Sequence, residues 1–397
     1  MISLLSKTSL TQLEKLRDDL IDGKDEILRL PKHLELGGAF GIPVSIIQFI
    51  AEWSRNQSNA TLQLYNELID LPLISEFAGT PHGMTALYFA ETLKGSNGDE
   101  EEAKSFKKLI IPYVNAMQMG EYDGTMNGRG AFLCCFASAR NEFLQPLYRV
   151  GTEIKVRSRS DFVTLVEQML NKVAPEAVTR LDRQDITNLS QLIYELFSNT
   201  EDHARTDENG NLISRSVRGI YLKFIPKGYS ETENGFSLGD ITLNRFLMHS
   251  LVEPQKQGYT ASKSFLEISV FDTGPGLARR WLSKNKANSS DLQKISVTEE
   301  FNLVHRCFTE KLTTKDEFGK GEGLTNVINS LQSLRAYLRL RTGRLCLVKD
   351  FTKASNSNHN DAINNKLLSH WKPDTPLLSD SPGATYTAII PLGVKRI

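Results

Sequence analysis

The segment YELFSNTEDHA, Tyr194–Ala204, has the apolar spacing of a helix that buries a face, yet it carries Glu195, Asn199 and Asp202. At about 100° per residue these three fall within roughly 60° of one another. Leu192, Ile193, Leu196 and Phe197 fill the neighbouring directions, so the polar stripe is flanked by core. Such a stripe is either a solvated edge or a set of groups aimed at a ligand. The segments downstream decide between the two.

The run FDTGPGL places Asp272 at the carboxyl end of a strand, followed by Gly274 and Gly276. A carboxylate there can accept a hydrogen bond from an exocyclic amine, while the glycines let backbone approach a flat ligand. The run FGKGEGL supplies Gly319, Gly321 and Gly323 just before a helix. Glycines in that position allow backbone N–H groups to converge on phosphate oxygens, aided by the helix N-terminus. Either loop alone is weak evidence, since Asp-x-Gly turns are common. Their order carries the weight: Glu-x-x-x-Asn on a helix, Asp-x-Gly-x-Gly, Gly-x-Gly-x-Gly-Leu, then the closing strand GATYTAIIP at 383–391.

With ELFSN at 195–199, DTGPG at 272–276, GKGEGL at 319–324 and GATYTAIIP, the chain resembles the GHKL superfamily. This is the Bergerat-fold ATP-binding domain shared by gyrase, histidine kinases and a family of heat-shock chaperones. The resemblance covers about 151–397 and implies an α/β sandwich with a mixed sheet and a helical layer, binding ATP with Mg²⁺. It implies that Asn199 helps hold the Mg²⁺ and that Glu195 is the general base polarising the attacking water. Asp272 matches the residue that reads adenine, and Thr385 the threonine that shares a water with it. Gly319, Gly321, Gly323 and Leu324 match the loop that closes over the phosphates. The stretch CFTEKLTTKDEFGKGEG also resembles histidine kinases, which makes Lys315 and Lys320 candidate contacts to the terminal phosphate.

Composition narrows the partners. Forty-seven basic and 47 acidic residues give no net field to draw the chain to nucleic acid or membrane. No apolar run approaches the roughly 20 residues that span a bilayer. The amphipathic N-terminus MISLLSKTSLTQLEKLRDDL does not read as a secretory signal. The four cysteines include no CxxC pair for zinc: Cys134 and Cys135 are adjacent in an apolar run, and Cys307 and Cys346 stand apart. A reduced, cytoplasmic protein is the expectation.

The pattern also suggests two domains: an α/β domain over 1–150 for regulation or partner binding, and the nucleotide domain over 151–397. Insertions are expected near 228–264 and 351–382. In the first part, residues 8–29 read as a helix, KHLEL as a strand, and GGAFGIP as a glycine turn into the helix VSIIQFIAEWSR. That turn lacks the Lys-Ser/Thr ending of a P-loop, so a helix start explains it. GAFLCCFAS reads as a buried strand, and helices are expected at 159–172 and 184–204.

Three functions fit. The favoured one is an ATPase whose turnover switches a conformation or controls a separately encoded partner, with ATP-dependent homodimerisation suggested by family analogy. The second is a protein kinase resembling the anti-sigma-factor kinases, whose Glu-x-x-x-Asn-x-x-x-His-Ala spacing ELFSNTEDHA matches. The third is an ATP sensor without turnover. His249, five residues before Pro254, is not a phospho-acceptor of the usual architecture, because it lies inside the nucleotide domain itself.

Overall fold

Runs of β-branched and aromatic residues in VRGIYLKFIP, SFLEISVF and ATYTAIIP form the centre of a seven-stranded sheet. The computed structural model describes residues 1–22, 27–34, 40–226, 240–252, 257–284, 292–309, 323–352 and 367–395. A first sheet joins β1 (Ile2–Ser3), β2 (Leu28–Arg29), β3 (Thr61–Gln63), β4 (Thr92–Lys94) and β5 (Glu100–Glu102) in that order, parallel through β4 and antiparallel at β5. β6 (Gly130–Phe136) is followed by a small ribbon of β7 (Tyr148–Val150) and β8 (Ile154–Val156). The remaining strands are β9 (Val217–Pro226), β10 (Tyr259–Asp272), β11 (Tyr337–Gly343), β12 (Leu345–Asp350), β13 (Ser369–His370) and β14 (Ser381–Lys395). The seven-stranded sheet runs β13-β12-β11-β14-β10-β9-β6, and each pairing is antiparallel.

The chain is mixed α/β, as its sequence predicts. The sheet that mixes parallel and antiparallel strands is the N-terminal one. The expected buried strand GAFLCCFAS is β6, and it pairs with β9, which makes it part of the seven-stranded sheet. Two local expectations shift. The helix predicted over 8–29 spans Leu10–Asp22, with β2 following it. The strand predicted at KHLEL falls partly outside the described residues, and 31–34 form no strand. The helical pattern inside the expected insertion at 228–264 is the helix Ile241–Val252, which buries Leu243, Phe246 and Leu247. No helix among the described residues is long and apolar enough to cross a membrane.

Both faces of the seven-stranded sheet are covered, and residues 264–272 of β10 are buried without a break. On one face lie the helices Arg183–His203 and, packed along it, Gly323–Ser333 and Arg159–Val173. On the other face lies the helix Ile42–Arg55, buried from Ile42 through Ser54. A helix that is apolar all round needs burial on all sides. The polar residues it does carry, Ser45, Gln48, Glu52 and Arg55, form a stripe spaced at helical intervals.

The N-terminus of that helix is anchored on the sheet by one carboxylate. Phe40 and Gly41 take left-handed φ values of 59° and 80°, turning two successive N–H groups toward a single point. Glu267 of β10, fully buried, accepts both, the Gly41 bond at 2.7 Å. Lys223 is its register partner on β9, and Arg339 of β11 donates to the Phe40 carbonyl at 2.8 Å. Next along β11, Arg341 grips both oxygens of Glu14 from the helix Leu10–Asp22, at 3.0 and 2.9 Å. The glycine turn at GGAFG therefore does start a helix, and the anion at its N-terminus is the protein's own.

Replacing Glu267 with alanine strands two buried N–H donors, each costing about 1–3 kcal/mol. The denaturant midpoint should drop accordingly, while Glu267→Gln, which keeps one acceptor, should lose less. A denaturant titration that leaves Glu267→Ala at the wild-type midpoint would contradict this anchor.

Candidate functional site

The helix Arg183–His203 is set by its ends. Asp182 and Asp185 form a capping box at its start, each side chain accepting the other's backbone N–H. Leu189, Leu192, Ile193, Leu196 and Phe197 bury its core side. At its C-terminus the last carbonyls lack helical partners. Arg280 satisfies the final one, donating to the His203 carbonyl at 3.1 and 2.6 Å, and reaches on to Thr206 O at 2.5 Å and Asp207 O at 3.2 Å just past the helix end. Arg280 belongs to the helix Leu277–Lys284, which begins directly after DTGPG. The first glycine loop is thus tied to the end of the polar-striped helix.

Gly274 completes that junction. A Cβ at this position would lie 2.5 Å from Ala204 Cα and 2.9 Å from its carbonyl oxygen, so only glycine lets the loop meet the helix end. Asp272 stands at this junction, 7% exposed. Its carboxylate accepts the Gly274 N–H at 2.9 Å and a backbone N–H from Ala384. Burial lifts its pKa to about 6, opposed by those two hydrogen bonds and by the nearby charges of Arg55 and Arg280. Gly276 takes a left-handed φ of 85° and leads into the helix beginning at Leu277.

Thr385 is placed differently. It is the register partner of Phe271 on β10 and of Arg341 on β11, and so shares their face of the sheet. Side chains alternate along a strand, which puts Asp272 on the opposite face. The strand register therefore separates the Thr385 side chain from the Asp272 carboxylate. Its hydroxyl is buried and has no hydrogen-bond partner among the described residues.

The second cluster lies further up the same helix. Glu195 is buried and Asn199, one turn on, is half-buried. The first residue of the helix Gly323–Ser333 sits against both: a Cβ on Gly323 would stand 3.0 Å from Glu195 Oε2 and 3.9 Å from the Asn199 amide. Leu324 is buried behind it, and Asn326 donates to Glu195 Oε1 at 3.4 Å. Lys315, Gly319, Lys320 and Gly321 lie outside the described residues. A helix rises about 1.5 Å per residue, so Glu195 stands about 13 Å along the axis from Ala204 and the Asp272 junction. Asn199 lies between them.

Two cations at this site were not singled out from the sequence. Arg159, first residue of its helix, places Nη2 2.5 Å from Glu195 Oε1. Arg55, at the end of the buried helix behind the sheet, donates to Thr273 Oγ1 at 3.2 Å, inside the DTGPG loop. The Ser-x-x-Asp box at 158–161 marks where the Arg159 helix begins, but no local signal names Glu195 as its partner. Among the described residues no group of three or more His, Cys, Asp and Glu could hold a metal by itself. Asn199 and Glu195 offer one amide oxygen and one carboxylate on one helix face. That oxygen donor set fits Mg²⁺, which takes few protein ligands and keeps several waters.

Compared with protein-family models, curated proteins and solved structures, the chain matches none. A separate surface cleft, lined by Arg180, Asp185, Ser262, Arg335 and Pro391 among others, contains none of the candidate site residues.

Gly274→Ala forces a Cβ into backbone at Ala204, and overpacking of this kind costs typically about 1–3 kcal/mol. The expected outcome is a lower melting temperature together with weakened ligand binding at Asp272. An unchanged melting temperature would show that the junction is looser than its geometry.

Proposed function

We propose that the chain binds ATP with Mg²⁺ along the helix Arg183–His203 and hydrolyses it, as the resemblance to GHKL proteins implies. One observation carries the reading. A buried carboxylate, Asp272, and a Glu195–Asn199 pair facing a helix N-terminus stand at the two ends of one helix stretch. The rise along the helix from Ala204 to Glu195, about 13 Å, is of the order of an extended nucleoside triphosphate. Asp272 accepts the adenine amine, its remaining partners being backbone N–H groups that hold the carboxylate still. The first turn of the helix Gly323–Ser333 turns backbone N–H groups and the positive end of a helix dipole to the phosphates. Asn199 would hold Mg²⁺, which when bound screens phosphate charge. Glu195 takes the proton of the attacking water. In such transfers positioning and charge stabilisation count for more than covalent chemistry. Given its place on the other sheet face, Thr385 acts in this reading on the position of β14 and not on adenine.

Asp272 gives a pH dependence with a definite sign. Burial raises its folded pKa above the ordinary 3.8, so its contribution to the stability of the free protein is complete below 3.8 and is lost as pH rises through about 6. Adenine recognition uses the ionised form. Nucleotide affinity should therefore rise between pH 5 and pH 7, and isothermal titration should place the midpoint near 6. Asp272→Asn should abolish binding at every pH; tight ATP binding by this variant would remove Asp272 from the site.

Incubation with γ-labelled ATP separates the three functions. Free phosphate supports hydrolysis, labelled protein supports the kinase reading that the His203–Ala204 spacing favours, and bound but intact nucleotide supports a sensor. Glu195→Ala should keep binding and lose turnover by about 100-fold or more, within the range for a lost general base.

A further inference from the structure

We propose that Arg159 is a catalytic residue of this site: its guanidinium leaves Glu195 for the terminal phosphate when the nucleotide binds. The inference rests on the ATP-binding reading above and adds to it the source of the compensating charge.

The ion pair is unequal: the Glu195 side chain is 8% exposed, whereas that of Arg159 is 61% exposed, so the carboxylate is buried and the cation lies largely in water. A cation in water can exchange this partner for a stronger anion. The backbone of Arg159 is nevertheless fixed. Ser158 and Asp161 close a capping box around the helix start, and the guanidinium rests over the Tyr194 ring at 5.4 Å. The group is thus held near Glu195 by elements that do not depend on Glu195. Gly323, first residue of the helix Gly323–Ser333, stands against the other carboxylate oxygen, and Asn326 of that helix donates to Oε1. A triphosphate terminating there carries more charge than one carboxylate and presents three oxygens to a planar fork of donors.

The pair also engages the base, since Arg159 binds Glu195 Oε1. Transfer of the guanidinium to the phosphate removes that charge partner from the carboxylate. The water oxygen then forms its bond to the γ-phosphorus and gives its proton to Glu195. The bond from that phosphorus to the β,γ-bridging oxygen breaks, and its electron pair leaves with ADP. Arg159 balances the charge that spreads over the γ-oxygens as this occurs. An arginine in that role is worth about 10³–10⁵ in turnover.

The test compares ATP and ADP binding, and turnover, in wild type, Arg159→Ala, Arg159→Lys and Arg159→Gln, all with Mg²⁺. Arg159→Ala should bind ADP within about twofold of wild type, weaken ATP about tenfold, and lower kcat by at least about 100-fold, below the full range for arginine fingers. Arg159→Lys should recover part of the ATP preference and Arg159→Gln none. Each variant's melting curve checks that it folds. The decisive comparison is made in Glu195→Gln, where the ion pair is gone. If Arg159 touches phosphate, removing it there still lowers the ATP-to-ADP preference. If Arg159 merely neutralises Glu195, removing it there changes nothing, and the inference is overturned. Faster turnover in Arg159→Ala would overturn it too, marking the pair as a brake. Should wild type bind neither nucleotide, the ATP reading and this inference fall together; should it bind both, with a preference blind to Arg159, only this inference falls.

Discussion

The close approach of Gly274 to Ala204 is the constraint on which the candidate site depends. Two segments meet there with no side chain between them, and Arg280 closes the joint by holding the His203 carbonyl at the helix end and that of Thr206 just beyond it. Through this joint the end of β10 and the polar-striped helix share one frame. Glu195 and Asn199 are positioned by counting helical turns from it, and Asp272 by counting none. Distances between groups on one rigid helix are set by the backbone, so the spacing of the two clusters does not rely on loop conformation.

Much of this frame is written in local sequence. The capping box Asp182–Asp185 and the 3.6-residue apolar period of the following segment place the helix to within a residue. SFLEISVFDTGPG announces a buried strand that stops at a turn, because Leu266, Ile268 and Val270 fill one face until Asp272 and the glycines end the pattern. The face of Thr385 was not legible. A strand's period of two says that neighbours point oppositely, but which residue of β14 faces Asp272 depends on pairing with β10 and on an irregularity beside Gly343. Arg159 was equally hidden, since its partner lies on another helix.

The first 150 residues were the least legible part, for a physical reason. The bonds that join them to the sheet connect residues far apart in sequence, Phe40 with Glu267 being 227 positions distant. Periodicity reports what a segment buries, not what buries it. VSIIQFIAEW reads correctly as a buried helix, yet nothing in it names Arg341, Pro382 or Thr273 as neighbours. Adjacent Cys134 and Cys135 were likewise read as core, which they are, but their strand belongs to the larger sheet.

The buried polar stripe of Ile42–Arg55 has a consequence for how the chain can be divided. Gln48 donates to the carbonyl of Pro382 at 2.7 Å, and Arg55 reaches Thr273, so one helix holds the backs of two loops whose fronts frame Asp272. A fragment beginning at 151 would lack both props. It would also lose β6, leaving β9 as a long apolar edge open to pairing with other chains. Glu267 and Arg341, buried in the whole chain, would face water or one another without their partners from the first 50 residues. The seam in this protein therefore does not run at residue 151. Cutting there would separate the candidate site from its own rear wall.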